Sequence, residues 1–219
     1  MENFNEKRIN ENGYRIHLIQ SKKFKTVNLV VKLKAPLEKR TVTKRALLPY
    51  ILKQGTKNYP NVEKLQEKLD ELYGAVLAIR SDKKGENHII TLRMEIANPS
   101  FIPNAPSILE EGISLLNELI FEPNVHNHAF DDIVVEREME TLKQRIHSIK
   151  DDKMQYANMR LIDEMCKGEP YSLHVHGYEE DLTEINGKDL YEYYQKMMKE
   201  DELDIYVLDE GTYSIYCET

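Results

Sequence analysis

The sequence predicts an α+β fold in which an antiparallel β-sheet carries its helices on one face. Strand patterns rich in apolar residues occur at 14–20, 26–33, 75–81 and 88–96, and their mostly short connections favour antiparallel pairing. The rest of the chain is mainly helical, with a last strand pattern at 203–208 that can return to the sheet. No internal repeat or linker divides the 219 residues, so a single domain is expected.

The first strands follow from their alternation. Residues 14–20 alternate apolar and polar side chains, and 26–33 is a Val-rich run. A hairpin through 21–25 is the simplest connection between them. The later pair of strands is expected to be joined by the polar turn 82–87.

Two helices are predicted between these strand pairs. The first has Thr41 or Thr43 as its N-cap and contains Pro49, which removes one backbone hydrogen bond and favours a kink. The second begins with Asn61 as its cap and ends at Gly74.

The second half of the chain predicts further helices. Ser107 is the expected cap of one of them, and 131–147, 154–166 and 189–198 form the others. The helix after Ser107 is expected to turn five apolar side chains inward: Ile108, Leu109, Ile113, Leu116 and Ile120.

Composition excludes several functions. The net charge of −8 argues against generic nucleic-acid binding. Cys166 and Cys217 form no disulfide framework or zinc knuckle, so a reduced, cytoplasmic protein is expected, with Cys166 as a buried, inert thiol. Residues 1–8 lack the apolar core of a signal peptide, and no apolar run approaches the roughly 18 residues that a membrane span needs.

One segment, 44–56, carries the strongest functional signal, and it reads KRALLPYILKQGT. It resembles the H-x-x-E-H-x-x-x-x-G-T helix of the insulinase/pitrilysin and mitochondrial processing peptidase family, in which two His bind zinc and Glu is the general base. Counted back from Gly55, the first His position holds Ala46, the Glu position Pro49 and the second His position Tyr50. None of these three residues can bind zinc or act as the base.

Other segments support the resemblance by their order and spacing. In active members a Glu immediately before the Ile of the Gln-Arg-Ile segment is the third zinc ligand, and here that position is Arg145. The similarity is greatest to bacterial non-catalytic members and covers nearly the whole chain. Its remaining matches are Tyr59-Pro60, 69–75, 84–89, 136–138, 151–152, Pro170-Tyr171, Gly177, 182–185 and 203–208.

The resemblance implies an N-terminal half-domain at 1–208 that binds no zinc and is not itself an enzyme, followed by an atypical tail at 209–219. Family chains usually carry two such halves, so this chain is expected to be a structural or substrate-holding partner of an active peptidase half or subunit, in a homo- or hetero-oligomer. Whether it is a fragment, a truncated product or a separate half-subunit stays open.

The resemblance also implies a peptide-binding sheet edge, because family substrates lie as an added strand along one strand. Here that strand consists of Ala75, Val76, Leu77, Ala78, Ile79, Arg80 and Ser81. Active relatives have an Asn where this chain has Ala78, which weakens the expected anchoring. An edge covered by a partner half or by the tail is an equally weighted alternative.

Two other functions stay open. On an extended segment the pairs His126/His128 and His174/His176 would each put both rings on one face, so a zinc endopeptidase with an unusual ligand set is the enzyme alternative. Both pairs lie in loop-like, polar segments, where ordinary histidines are expected and no third ligand is fixed by spacing. A stand-alone peptide-binding module is the other. The run 136–140 alternates Glu and Arg and is expected to be a solvated face.

Overall fold

The computed structural model describes residues 5–21, 23–102 and 107–209. They form a six-stranded sheet packed against helices, which confirms the predicted α+β class. Alternation along the strands separates the two faces: Leu29, Val31 and Leu33 of one strand are buried in the core. Arg93 and Glu95 of a neighbouring strand form an ion pair at 2.8 Å outside it. In these ranges no helix is both long and apolar enough to cross a membrane.

The strands are joined in the spatial order β1-β2-β6-β3-β5-β4. Among the described strands, only the β2–β6 pair is parallel, and the other four pairs are antiparallel. Their bounds are β1 (Asn5–Glu11), β2 (Tyr14–Gln20), β3 (Thr26–Pro36), β4 (Val76–Lys84), β5 (Asn87–Ala97) and β6 (Glu202–Asp209).

The helices lie between and after the strands, and two 3₁₀ turns occur at Pro99–Phe101 and Pro170–Ser172. Their bounds are α1 (Lys39–Leu52), α2 (Val62–Glu71), α3 (Ile108–Phe121), α4 (Asp132–Asp151), α5 (Lys153–Met165), α6 (Glu179–Leu182) and α7 (Gly187–Glu200).

The predicted hairpin through 21–25 is wrong, because β6 lies between β2 and β3. Specific contacts hold it there: Arg15 Nε of β2 donates to Asp204 Oδ1 of β6 at 2.5 Å, and the His17 ring stacks on Tyr206 with centroids 4.4 Å apart. Strand patterns in the sequence identify strands but not their partners. Strand β6, distant in sequence, therefore pairs with β2 in the place where β3 was expected.

A further strand, β1, was not predicted. It forms a hairpin with β2 through Asn12 and Gly13, and Gly13 has φ +102°, which suits such a tight turn. The strand is polar and lies at the sheet edge, so it lacks the apolar alternation by which buried strands are recognised. The Asn-Gly dipeptide was the available signal.

Several predicted boundaries shift. Helix α1 begins after Glu38 rather than after Thr41 or Thr43. Thr43 is buried and its hydroxyl donates to Asp181 Oδ2 at 2.6 Å, so it is committed to a tertiary contact. The turn between β4 and β5 is shorter than 82–87, because both strands continue to Lys84 and Asn87. The predicted tail lies outside the described residues except for Asp209, which ends β6.

The cap of α2 is confirmed, whereas two predicted burials are wrong. Asn61 Oδ1 accepts from the Lys64 N–H at 2.8 Å. Ile113 of α3 is 41% exposed, because Gly112 takes the inward position against Ile96. Cys166 is only half-buried, since α5 has no buried residue.

A buried ion pair fixes α1 to the sheet. Arg45 is fully buried, and its Nη1 lies 2.7 Å from Asp201 Oδ2, just before β6. Its Nη2 donates to the Leu33 carbonyl of β3 at 3.1 Å and to the His88 carbonyl of β5 at 3.2 Å. One side chain therefore joins a helix to three strands or strand ends.

We expect Asp201→Asn to lower the free energy of unfolding by about 3–5 kcal/mol, because it leaves the buried Arg45 charge uncompensated. The double variant Arg45→Met/Asp201→Leu should recover most of this loss, which urea unfolding measures. As a control, Lys64→Gln breaks an exposed 2.6 Å ion pair with Glu67 and should lower the free energy of unfolding far less, because solvent screens exposed pairs. Equal effects of the buried and exposed changes would contradict this role.

His88 provides a pH-dependent prediction. Its side chain is fully buried, neither ring nitrogen has a hydrogen-bond partner among the described residues, and burial, with Arg45 adding, lowers its pKa to about 3. The unfolded histidine takes up a proton near pH 6.5, so the folded state loses stability as pH falls below that value. His88→Leu should flatten the decline between pH 6.5 and 5. An unchanged slope in urea unfolding would contradict it.

Candidate functional site

The degenerate zinc positions lie on two helices. Ala46 of α1 is 1% exposed and belongs to the core, Pro49 is buried, and Tyr50 is half-buried. Arg145 lies on α4 and is exposed. The structure brings Arg145 within electrostatic range of Tyr50, as the resemblance to the zinc site implies.

A small cavity of about 150 Å³ lies beside these residues, between α1 and β4. Burial and the charge of Arg145 shift the pKa of two groups that line it. Burial raises the pKa of Tyr50, opposed by the Arg145 charge, and burial together with Arg145 lowers the pKa of His176. The lining residues are Pro49, Tyr50, Lys53, Ile79, Arg80, Ser81 and His176.

This arrangement opposes metal binding. A methyl group, a proline ring, a phenol and a guanidinium stand where two imidazoles and two carboxylates are needed, and Arg145 adds positive charge at the cation's place. Across 5–21, 23–102 and 107–209, no group of three or more His, Cys, Asp or Glu residues is arranged to hold a metal ion. The residues present do not fit zinc.

The structural part of the motif is retained. Gly55 has φ +151°, and a Cβ there would lie 2.6 Å from the Tyr59 carbonyl oxygen. Thr56 is buried, and its hydroxyl donates to Glu118 of α3. Burial would raise the Glu118 pKa, but hydrogen bonds from Thr56 and Asn58 outweigh it and lower the pKa. Gly55 and Thr56 therefore organise the turn after α1 without any metal.

The predicted peptide-binding strand forms an edge of the sheet. Strand β4 pairs only with β5 among the described residues, and its other side bears no strand. Val76, Ala78 and Arg80 are exposed, whereas Ile79 is buried. Ala75 precedes the strand, and its N–H donates to the Leu69 carbonyl at 2.9 Å. Peptide binding at this edge remains a prediction.

Both histidine pairs lie in turns, as their polar, loop-like segments indicate, and not on the extended segments that a shared metal face would need. Asn127 and His128 have φ of +51° and +60°, so the first pair lies in a tight turn. The second pair also lies in a turn, closed by the Gly177 N–H to the His174 carbonyl at 2.9 Å. His174 Nε2 instead contacts Asp163 Oδ1 at 2.9 Å. The alternative zinc site thus gains no support from the geometry.

Two site features were not predicted. Glu138, within the run expected to be solvated, is buried and accepts from Arg137 Nε at 2.9 Å. His176 lines the small cavity next to Tyr50, although their positions are far apart in sequence. No local pattern signals such a contact, because it depends on how the loop before α6 folds back onto β4.

Comparison with known proteins agrees with this geometry. No protein-family model matches the chain. A protein from Bacillus subtilis strain 168 described as the probable inactive metalloprotease YmfF is 47% identical over 206 residues, which cover 94% of this chain and 48% of that protein. A conserved protein of known structure from Enterococcus faecalis V583 is 35% identical, with a TM-score of 0.91, and the match covers 97% of this chain and 50% of that one.

More distant structures share the fold. The inactive domain of a peptidase M16 from Pseudomonas fluorescens has a TM-score of 0.74 at 14% identity, covering 96% of this chain and 48% of that one. Pitrilysin has a TM-score of 0.67 at 15% identity, covering 97% of this chain and 22% of that one. The chain therefore spans about half the length of the curated relative that it matches.

The fold and the site together define a half-domain of the metallopeptidase type whose aligned positions hold no zinc ligand and no general base. The chain belongs to the insulinase/pitrilysin peptidase family, as the motif analysis indicated.

We expect the purified chain to retain no stoichiometric zinc after dialysis, and its melting temperature to be unchanged by a chelator, because metal binding and folding are not linked here. Elemental analysis and thermal melts measure both, with an intact H-x-x-E-H family member as positive control. One zinc per chain, lost on Tyr50→Phe or Arg145→Gln, would contradict the assignment.

Proposed function

We propose that this half-domain acts as a structural or substrate-holding partner of an active insulinase-family peptidase. The observation that carries the proposal is the outer edge of β4, which pairs with no strand in the described part of the chain, beside a site without zinc ligands. A sheet edge binds an extended peptide through main-chain hydrogen bonds, which require no catalytic side chain. Holding a peptide is therefore compatible with the loss of the metal.

The length of the relatives supports a second half. The chain covers 48% of the Bacillus subtilis protein and 50% of the Enterococcus faecalis structure. A half-domain of this kind would present part of its surface to another half. The partner in this proposal is a second half-domain or a catalytic subunit of the same family.

Helix α5 offers an apolar surface for such a partner. Met154, Leu161 and Met165 are 73%, 55% and 72% exposed, and their spacing places them on one side of the helix. Contiguous exposed apolar side chains of this kind are typical of interaction sites. We call these three residues the α5 stripe.

A stand-alone peptide-binding module is the second candidate. The observation that favours it is the edge of β4 that pairs with no other strand among the described residues. The module differs from the partner hypothesis in needing no second subunit. The α5 stripe distinguishes the two, because a solitary module gains nothing from exposing it.

We expect the chain to self-associate at micromolar concentration or to bind a family member that retains the H-x-x-E-H helix, measured by sedimentation velocity. Leu161→Lys/Met165→Lys should weaken the association at least about tenfold by placing charges in an apolar contact. The control Gln66→Lys/Gln195→Lys adds the same charge at exposed positions of α2 and α7. If the chain stays monomeric and does not bind the catalytic relative, the stand-alone peptide-binding module is the better hypothesis.

A gain-of-function change tests the edge itself. Ala78→Asn restores the amide that the family resemblance assigns to this exposed position, and one added hydrogen bond should tighten binding of extended peptides about two- to tenfold. Fluorescence anisotropy with labelled peptides measures it. The control Val76→Asn, on the same exposed side of β4, should change affinity less. Equal effects would mean that peptides do not bind at Ala78.

A further inference from the structure

The small cavity is surrounded by polar groups that the protein does not use. Tyr50, Lys53 and His176 line it, and the charge of Arg145 acts on both Tyr50 and His176. None of these four side chains has a hydrogen bond or ion pair with another described residue. Each can donate a hydrogen bond, and Lys53 and Arg145 carry positive charge. The cavity therefore presents free donors and positive charge.

The nearby carboxylates are already paired. Glu138 accepts from Arg137 Nε at 2.9 Å, and Asp82 Oδ2 lies 3.2 Å from Arg80 Nε. Both act electrostatically on cavity-lining groups, Glu138 on Tyr50 and Asp82 on His176, but each already has a cationic partner. An anion from outside the chain would complete the cavity.

A larger cavity of about 430 Å³ lies next to the small one, between the α4–α5 pair and the loop before α6. Two of its polar groups already have partners: His174 contacts Asp163, and Lys83 Nζ donates to the Tyr171 and Leu173 carbonyls at 2.6 and 2.9 Å. Lys150 and Asn158 also line the cavity, and its apolar wall is formed by Ile146, Ile149, Met159, Ile162 and Val175.

The two cavities lie one after the other along β4. Ser81 lines the small one, Lys83 lines the larger one, and His176 lines both. Side chains two positions apart on a strand point the same way and stand about 7 Å apart. A peptide strand paired with β4 would therefore direct two successive side chains of one face into the two cavities.

We propose that the vacated zinc site binds the carboxylate of an aspartate or glutamate side chain in a peptide held along β4, while the larger cavity takes a large apolar side chain two residues away. This inference rests on the proposed peptide-holding function and adds its sequence preference. The preference is acidic-x-apolar, or the reverse order if the peptide runs the other way. A position that binds a cation in active relatives thus binds an anion here.

The test uses the full chain and nine-residue fluorescent peptides of β-forming residues, with Glu and Leu two positions apart in either order. In one order, the Glu peptide should bind about tenfold more tightly than its Gln counterpart at low salt. Lys53→Gln/Arg145→Gln should abolish this ratio. The control Lys188→Gln/Lys196→Gln removes the same charge from α7, away from both cavities, and should leave the ratio unchanged.

The apolar half is tested separately. Met159→Gln should reduce the preference for Leu over Ser in the peptide at least several-fold while the Glu/Gln ratio persists. Tyr156→Gln, at an exposed position of the same helix that lines neither cavity and lies outside the α5 stripe, is the control and should change neither ratio. Equal binding of Glu and Gln peptides would overturn the carboxylate site but leave peptide holding intact. Failure of all peptides to bind would overturn both proposals.

Discussion

The buried pair of Arg45 and Asp201 is the constraint on which the rest of the structure depends. Arg45 immediately precedes the first degenerate zinc position, and its guanidinium contacts the carbonyls of Leu33 and His88 as well as Asp201. Helix α1 is thereby held on β3, β5 and the start of β6 by contacts that involve no metal. The helix that carries zinc ligands in active relatives can lose them without losing its place in the fold.

The turn after α1 is likewise held by contacts that do not depend on the zinc-ligand positions. Gly55 and Thr56, with Glu118 beneath them, keep the part of the motif that organises the backbone. The ligand positions, in contrast, have become apolar, phenolic or cationic. The loss is therefore specific to the metal site, and Lys53 and Arg145 place positive charge at the cavity beside β4. A charge of this sign suits an anionic ligand rather than zinc.

Local signals predicted much of the fold but not its long-range contacts. The strand alternation located β2 and β3, and the Asn61 cap placed α2, because both depend on neighbouring residues. The position of β6 between β2 and β3 depends on pairs such as Arg15 with Asp204, far apart in sequence. For the same reason, the motif identified Ala46, Pro49, Tyr50 and Arg145, whereas the place of His176 was visible only in the folded chain.

The most direct test of the claim that β4 is the functional surface is amide hydrogen exchange, measured residue by residue with and without a bound acidic peptide or the catalytic partner. The outward-facing amides of β4 (Val76–Lys84) should become protected, while those of the opposite edge strand β1 (Asn5–Glu11) should exchange as before. Protection confined to β1, or no change in β4 when the ligand is bound, would contradict the claim.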